Sequence, residues 1–360
     1  MKGKMKAQVF YEPLKMSMVE QDIPQIADDE VLVRVKAVGI CGSDVSYYYG
    51  HSPLDTPNGS GPLILGHEAS GVVAEIGKIP ASVGLFKEGD RVALNPVQQC
   101  NACAACMRGE FNVCEHPSTL GVGVDGCFAE YVKVRYTHVY HIPDEVSFED
   151  GALAEPLACA TYGVKNLDVK LGQTVVVFGT GTIGLMHTQL AKAAGAGKVI
   201  VVGIEDFGLK TALEVGAFAV INSLDKNSPY YSADVVAKIK ELNHGVLAPR
   251  AIVATSAMPA LQQALTVTGA NSTVVYFGLP GPEDELKVPV LNAIQSDRTL
   301  KFSWLAPLVW DNVFNVIASG QVNLKPLITQ TFSLDDTEKG IQFMKESKED
   351  KIKGVVIIDK

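Results

Sequence analysis

The sequence predicts an α/β protein with two parts, a β-rich N-terminal domain followed by a doubly wound parallel sheet. Short alternating segments bounded by glycine and proline fill residues 1–160, which is typical of a barrel-like β-domain. Apolar runs and helical segments alternate after Pro156, which indicates βα units and hence a parallel sheet. The length of 360 residues corresponds to roughly two domains.

The composition argues against several classes of protein. The formal net charge is −9, and this acidic balance argues against binding to nucleic acid or anionic lipid. An apolar stretch of about 18 residues, which a membrane-spanning helix needs, does not occur in the sequence. The N-terminus has no apolar signal core. We therefore expect a cytoplasmic protein without membrane or nucleic-acid partners.

The N-terminal strands are predicted from alternation of apolar and polar residues with period two. Residues Glu30–Lys36 alternate clearly and residues Ala69–Glu75 more loosely. Residues Gly89–Val92 read as a turn that leads into a strand, and Gly126–Lys133 as a further strand.

The second part begins with an apolar strand, Thr174–Phe178, and a helix, Ile183–Ala194, which glycines terminate. The alternation then continues with strand Lys198–Val202, helix Leu209–Val215, strand Ala219–Ile221, helix Ala233–Asn243, strand Arg250–Val253, helix Pro259–Thr266 and strand Ser272–Phe277. From Arg298 onward we predict a strand, a helix at Val309–Ser319 and a final strand at Val355–Ile358. The charged run Lys345–Lys353 predicts a solvated helix or turn.

Four of the seven cysteines lie within fifteen residues and have the spacing C-x2-C-x2-C-x7-C. Such spacing suits a tetrahedral zinc ion, and four protein ligands leave no open position, so this metal would be structural. Two alternatives stay open. An iron–sulfur cluster also uses four cysteines, and the thiols could be unliganded core residues. The four residues are Cys100, Cys103, Cys106 and Cys114.

A glycine-rich turn of the form G-x-G-x-x-G follows the strand Thr174–Phe178 and opens the next helix. In that context the glycines allow a tight turn, the approach of a pyrophosphate and close helix–strand packing. The helix N-terminus adds unpaired N–H groups for the phosphates. We therefore predict dinucleotide binding by Gly179, Thr180, Gly181, Thr182, Ile183 and Gly184.

The preference between NAD and NADP depends on the end of the second strand of this part. Gly203 stands there, and Glu205 and Asp206 follow. Either carboxylate could reach the ribose hydroxyls, and both would repel a 2′-phosphate. We predict Glu205 as the cofactor-binding residue of the two. No lysine or arginine occurs between Val202 and Lys210. The sequence favours NAD, with NADP as the alternative.

A second metal site is predicted from residues at strand ends. Cys41 follows one strand, His67 and Glu68 precede another, and Glu155 lies where the β-rich part ends. Three such ligands with a free fourth position form a catalytic zinc site. A lone cysteine or histidine is more often a core residue, but this combination accompanies a nucleotide turn and a cysteine cluster.

Together these motifs resemble the zinc-containing medium-chain dehydrogenase/reductase, or alcohol dehydrogenase, family over essentially the whole chain. They are Cys41-Gly-Ser-Asp44, Gly66-His67-Glu68, the four-cysteine lobe and Gly179–Gly184. The segment Glu155-Pro-Leu157 is similar to the sorbitol (polyol) dehydrogenase branch.

The resemblance implies a domain organisation. Residues 1–157 would form a GroES-like catalytic domain with a structural zinc lobe at about 96–116. Residues 158–292 would form a Rossmann domain that binds the dinucleotide, and residues 293–360 would return to the catalytic domain.

The resemblance also implies roles for individual residues. Cys41 and His67 would bind the catalytic zinc, and Glu68 and Glu155 are two carboxylates of which either could contact it. Asp44 would orient His67, and Ser43 would take the proton of the substrate. The nicotinamide would lie against Phe277, Gly278 and Leu279.

The implied activity is hydride transfer from a secondary alcohol to NAD(P), which gives a ketone. Two zinc ions per chain and a homodimer or homotetramer are expected. A polyol or sugar alcohol is the first choice of substrate. Trp304-Leu305 stands where sorbitol-type enzymes have an Arg-Tyr pair, and Ser46 where many relatives have histidine. A smaller alcohol, of the threonine or butanediol type, is therefore the alternative.

Three further interpretations stay open. Tyr47 could line the substrate pocket or pack in the core, and His51 could relay protons or lie at the surface. A non-catalytic, nucleotide-binding zinc protein would lack the open zinc site, so the presence of its residues argues against that class.

Overall fold

The computed structural model describes residues 1–52 and 61–358, and its contacts separate two compact units. Unit 1 comprises Met1–Pro156 and Ile328–Lys360, and unit 2 comprises Leu157–Leu327. Within the described part of the chain, no helix is both long and apolar enough to cross a bilayer.

The strands of the N-terminal segment are β1 (Lys4–Glu12), β2 (Lys15–Asp22), β3 (Glu30–Gly39), β4 (Leu63–Ile64), β5 (Glu68–Ile76), β6 (Arg91–Leu94), β7 (Val97–Gln98), β8 (Ser118–Thr119), β9 (Tyr131–Arg135) and β10 (Val139–His141). Its helices are α1 (Gly42–Tyr48), α2 (Lys78–Ser82), α3 (Ala104–Met107), α4 (Phe148–Ala152) and α5 (Ala154–Leu167), the last of which continues into unit 2.

The alternating elements that follow are β11 (Thr174–Phe178), α6 (Thr182–Ala193), β12 (Lys198–Gly203), α7 (Asp206–Glu214), β13 (Ala219–Asn222), α8 (Val235–Leu242), β14 (Ala248–Val253), α9 (Met258–Thr266), β15 (Thr268–Tyr276), α10 (Val290–Gln295), β16 (Thr299–Phe302) and α11 (Trp310–Ala318). The chain returns to unit 1 with β17 (Ile328–Ser333), α12 (Thr337–Glu346) and β18 (Lys353–Ile357).

Unit 1 is built around a sheet with strand order β10-β6-β5-β3-β18-β17, and β9 also pairs with β3. The central strand β3 is apolar, and Val31, Leu32 and Val33 are fully buried. It pairs antiparallel with β5, which places Gly39 opposite Glu68. It also pairs antiparallel with the C-terminal strand β18, which places Gly39 opposite Val355. The C-terminal segment therefore lies beside the end of β3 that leads to Cys41.

Unit 2 contains a parallel sheet with strand order β13-β12-β11-β14-β15-β16. The apolar run predicted at Thr174–Phe178 forms the central strand β11, and its side chains are buried. The strand order reverses between β11 and β14, and ligands of such sheets bind beyond the carboxyl ends of the strands at this position. The predicted doubly wound parallel sheet is therefore confirmed.

The chain returns to unit 1 later than the sequence implied. We expected the return at residue 293, whereas residues 293–327 lie in unit 2. The reason is β16, which pairs in parallel with β15 and extends the unit 2 sheet. At the other boundary, the structure divides the chain after Pro156.

The strand predicted at Gly126–Lys133 is only partly formed, because β9 begins at Tyr131. The residues before β9 use their backbone differently: the N–H groups of Cys127 and Phe128 donate to the carbonyls of Gly66 and Leu65. This pairing holds the segment that precedes His67.

Candidate active site and zinc centres

Three side chains of types that bind metal ions lie close together where β3 ends and β5 begins. Cys41 is the residue before helix α1, and His67 and Glu68 are adjacent at the start of β5. Their ligand atoms all lie within 4.8 Å of one another. The antiparallel pairing of β3 with β5 brings these residues together, although 26 positions separate Cys41 from His67.

Asp44 contacts the backbone and the histidine side chain of the group formed by Cys41, His67 and Glu68. Its side chain is fully buried and accepts hydrogen bonds from the backbone N–H groups of Cys41 at 2.8 Å and Gly66 at 3.1 Å. The same carboxylate lies 3.6 Å from Nδ1 of His67. Burial alone would lower the pKa of His67, but the charges of Asp44 and Cys41 raise it well above its usual value. The site therefore favours a positive charge, as a divalent cation requires.

Glu68 has a buried partner that the sequence did not reveal. The ammonium group of Lys353 lies 2.7 Å from Oε1 and 2.5 Å from Oε2 of Glu68, and it donates to the carbonyl of Ile40 at 2.8 Å. Burial lowers the pKa of Lys353, but the charges of Glu68, Cys41 and Asp44 outweigh it and raise the pKa.

The prediction of a solvated charged run at Lys345–Lys353 is therefore wrong at its last residue. Lys353 is only 4% exposed. The reason is its position at the start of the buried strand β18. Its place directly before the apolar run Gly354–Ile358 was the signal in the sequence.

The remaining predicted residues of this site lie in different environments. The hydroxyl of Ser43 on α1 is buried and has no hydrogen-bond partner among residues 1–52 and 61–358. Glu155 is the second residue of α5 and is buried, but it lies outside the group of Cys41, His67 and Glu68. Its role as a ligand stays a prediction. Tyr47 is buried and His51 is exposed.

The four-cysteine motif forms a second group of donors. The sulfur atoms of Cys100, Cys103, Cys106 and Cys114 lie within 4.8 Å of one another. Backbone N–H groups of Ala102 and Cys103 point at the sulfur of Cys100 and lower its pKa, which favours the thiolate that zinc binds. Four converging sulfurs fit a closed structural zinc site.

The donor chemistry of the first group fits zinc as well. Cysteine, histidine and carboxylate are all zinc ligands, and three protein ligands leave one position for substrate. A second partner that fixes the histidine ring is usual for such ligands, and the carboxylate of Asp44, 3.6 Å from Nδ1 of His67, is placed for that role. The two groups therefore fit one catalytic and one structural zinc ion.

The glycine turn of unit 2 has the geometry that a pyrophosphate needs. Gly179 has φ of +105°, a conformation that glycine adopts readily. A Cβ atom on Gly184 would lie 2.0 Å from the carbonyl oxygen of Gly179, whereas a Cβ on Gly181 would meet open space. The turn thus packs tightly at Gly184 and leaves room beside Gly181. Thr182 and Ile183 begin helix α6 at this point, so a dinucleotide fits here.

The structure separates the roles of the two acidic residues after β12. Asp206 accepts hydrogen bonds from Asn222 at 2.8 Å and from Ser228 at 2.6 Å. Glu205 is exposed and precedes helix α7. A Cβ on Gly203 would lie 2.6 Å from Thr180, so a side chain at the strand end itself is excluded. Of the two carboxylates, Glu205 is the more available to a ribose.

The segment predicted to face the nicotinamide directly follows β15. Phe277 and Gly278 both donate their backbone N–H groups to the carbonyl of Val253 at the end of β14. A Cβ on Gly278 would lie 2.1 Å from the carbonyl oxygen of Thr255, so this turn packs closely against the neighbouring strand end. Leu279 is exposed.

Comparisons with known proteins identify the family of the chain. Residues 27–144 match the alcohol dehydrogenase GroES-like domain, and residues 182–319 match the zinc-binding dehydrogenase domain. The chain is 34% identical over 350 residues to sorbitol dehydrogenase of Bacillus subtilis (strain 168), with 95% of each chain covered.

Two solved structures are similar over nearly the whole length. The 2R,3R-butanediol dehydrogenase from Bacillus subtilis has a TM-score of 0.86 and 30% identity and covers 99% of this chain and 100% of its own. An alcohol dehydrogenase from Escherichia coli CFT073, complexed with NADH, has a TM-score of 0.87 and 28% identity. The match covers 98% of this chain and 99% of the E. coli chain. The chain belongs to the zinc-dependent medium-chain dehydrogenase/reductase family, in its polyol dehydrogenase branch.

Proposed function

We propose that the protein oxidises a secondary alcohol group of a polyol to a ketone and transfers the hydride to NAD. The observation that carries this proposal is the convergence of Cys41, His67 and Glu68 within 4.8 Å, with Asp44 hydrogen-bonded beneath them. These three residues would hold the catalytic zinc, with Glu155 as the fourth candidate. The cysteine lobe would hold the structural zinc.

Each bound group contributes one part of the chemistry. Zinc supplies Lewis-acid stabilisation of the negative charge that develops on the alcohol oxygen. NAD supplies the hydride acceptor, and the protein orients it.

The residues of the chain perform the other tasks. Asp44 fixes the orientation of the His67 ring and of the Cys41 backbone. The Ser43 hydroxyl, which no described residue engages, would relay the proton of the substrate hydroxyl: it accepts that proton and passes its own proton outward to solvent, so that it stays neutral. Lys353 neutralises Glu68 and fixes its carboxylate, so that the buried donors carry less uncompensated negative charge.

The substrate class is tested by a screen at 340 nm with sorbitol, xylitol, 2R,3R-butanediol and threonine, each with NAD and with NADP. We expect the best polyol to exceed butanediol in kcat/KM by about tenfold, because each additional hydroxyl–protein hydrogen bond contributes up to about 1.5 kcal/mol. Butanediol is the second candidate, since Trp304-Leu305 replaces the expected Arg-Tyr pair. A higher kcat/KM for butanediol would assign that substrate instead.

NAD selectivity is expected to depend on Glu205. The Glu205→Gln change should lower the NAD/NADP ratio of kcat/KM about tenfold or more, because hydrogen bonds to a charged group contribute about 1.5–3 kcal/mol. Asp206→Asn is the matched control: its oxygen is already engaged by Asn222 and Ser228, so the ratio should change less than threefold. Equal effects of the two changes would contradict the assignment.

We also propose that the chain forms a homodimer through the edge strand β16 of unit 2, with a homotetramer as the alternative. β16 pairs with β15 on one side only, among the residues that the structure describes. Exposed apolar side chains lie on β16 and in the chain segments directly before and after it: Val290, Leu291, Ile294, Phe302 and Leu308. A two-fold axis closes such an edge by pairing it with a second copy.

Sedimentation velocity tests the dimer. The protein should sediment at twice the mass of the chain or a multiple of it, and Phe302→Lys, which adds a charge to the proposed contact, should shift it towards the monomer. A wild-type monomer at micromolar concentration would refute the proposal.

A further inference from the structure

A histidine in the core of unit 2 has no role in the chemistry above. His187 lies in helix α6, three residues after Gly184, and is completely buried. Neither of its ring nitrogens has a hydrogen-bond partner among the described residues. Burial lowers its pKa to about 3, so the ring is neutral at physiological pH. Buried polar groups are rarely left unpaired, and this residue therefore requires an explanation.

The ring occupies a gap that a glycine creates. A Cβ atom on Gly163 of helix α5 would lie 2.8 Å from Nε2 of His187 and 3.2 Å from Cδ1 of Ile252. Such distances are shorter than van der Waals contact. The imidazole thus fits between α5 and the sheet only because position 163 carries no side chain.

The ring also contacts Phe277, in the segment that follows β15. His187 meets Phe277 edge to face, with ring centroids 5.1 Å apart and an interplanar angle of 82°. Edge-to-face contact is a preferred arrangement of aromatic rings and fixes their mutual position. Phe277 is the first residue of the turn Phe277–Leu279, against which the resemblance to the family places the nicotinamide.

We propose that His187 is a positioning residue for the nicotinamide end of the cofactor. Its ring, seated against Gly163, fixes Phe277 and with it the turn Phe277–Leu279. This inference rests on the proposed function, because it assumes that NAD binds at the end of this sheet. Since the ring nitrogens contact no hydrogen-bonding group of the described chain, the ring acts through its bulk and its edge contact.

The test compares two ligands of the zinc-loaded protein by isothermal titration calorimetry. NADH contains the nicotinamide, and ADP-ribose lacks it. In His187→Ala, the dissociation constant of NADH should rise about three- to tenfold, as the loss of an aromatic contact predicts. That of ADP-ribose should stay within twofold. In His187→Leu, which refills the space with an apolar side chain, NADH should bind within twofold of wild type.

Gly163→Ala provides a second variant, because its methyl group would lie 2.8 Å from Nε2 of His187 and displace the ring, whereas its distance of 3.5 Å to Cδ2 of Phe277 is an ordinary contact. It should also weaken NADH binding and spare ADP-ribose. Wild-type binding of NADH by His187→Ala and Gly163→Ala, or equal weakening of both ligands, overturns the inference. An equal loss in His187→Leu and His187→Ala overturns it too, since the nitrogens would then be required. Failure of the wild-type protein to bind either ligand contradicts the proposed function instead.

Discussion

The Cys41→Ser variant is expected to lose about 10³-fold or more in kcat/KM and one of two zinc ions per chain. Serine replaces the thiolate of the donor group with a weakly coordinating hydroxyl. The Lewis acidity of a metal stabilises the transition state by several kcal/mol, and each 1.36 kcal/mol corresponds to about a tenfold change in rate. Zinc is measured by mass spectrometry, and NADH formation by absorbance with the best polyol.

Two controls separate the catalytic metal from general damage. Cys103→Ser should also remove one zinc ion, but from the four-cysteine lobe. We expect its kcat/KM to stay within about tenfold of the wild-type value, because Cys41, His67 and Glu68 remain in place. Ser46→Ala changes the same helix as Ser43. Within the described part of the chain, the Ser46 hydroxyl donates a hydrogen bond to the carbonyl of Gly42 and makes no other. The variant should behave as wild type. Undiminished turnover in Cys41→Ser would exclude this zinc from the reaction.

Sequence patterns predicted the sites whose residues are close together in the chain. The cysteine lobe could be predicted because four ligands lie between residues 100 and 114, and their spacing alone limits the possible metals. The glycine turn could be predicted because its flanking strand and helix are continuous with it. In both cases one continuous segment of the chain contains all the residues of the predicted site.

Features that depend on distant segments were not predicted. Lys353 lies 285 residues from Glu68 in sequence, and only the pairing of β18 with β3 brings the two together. Likewise, the sequence predicted Glu205 as the ribose-binding residue without a contact that set it apart from Asp206. The structure distinguishes them because Asn222 and Ser228, from a later segment, engage Asp206. The position of Glu155 relative to the other donors also depends on tertiary packing.

The Lys353→Met variant is expected to be destabilised by about 3–5 kcal/mol, the usual cost of removing one partner of a buried ion pair. In the protein stripped of zinc, which is the form to be compared, the methionine fills the space of the lysine stem but leaves the Glu68 carboxylate, which is 1% exposed, without a counter-charge. Urea unfolding of the full chain, followed by far-UV circular dichroism, should show the loss. Hydrogen exchange should show that backbone amides lose protection in β3, β5 and β18, the strands that hold the pair.

The double variant Lys353→Met/Glu68→Gln decides whether the pair itself is responsible. Glu68→Gln alone leaves the ammonium group buried without a charge partner and should also destabilise the protein. Replacing both charges removes both unpaired ions, and buried pairs replaced as a unit are often close to neutral in stability. The double variant should therefore be more stable than either single variant. If the double variant lost the sum of the two single-variant losses in free energy of unfolding, each residue would act independently. That result would contradict the conclusion that Lys353 holds Glu68 beside Cys41 and His67.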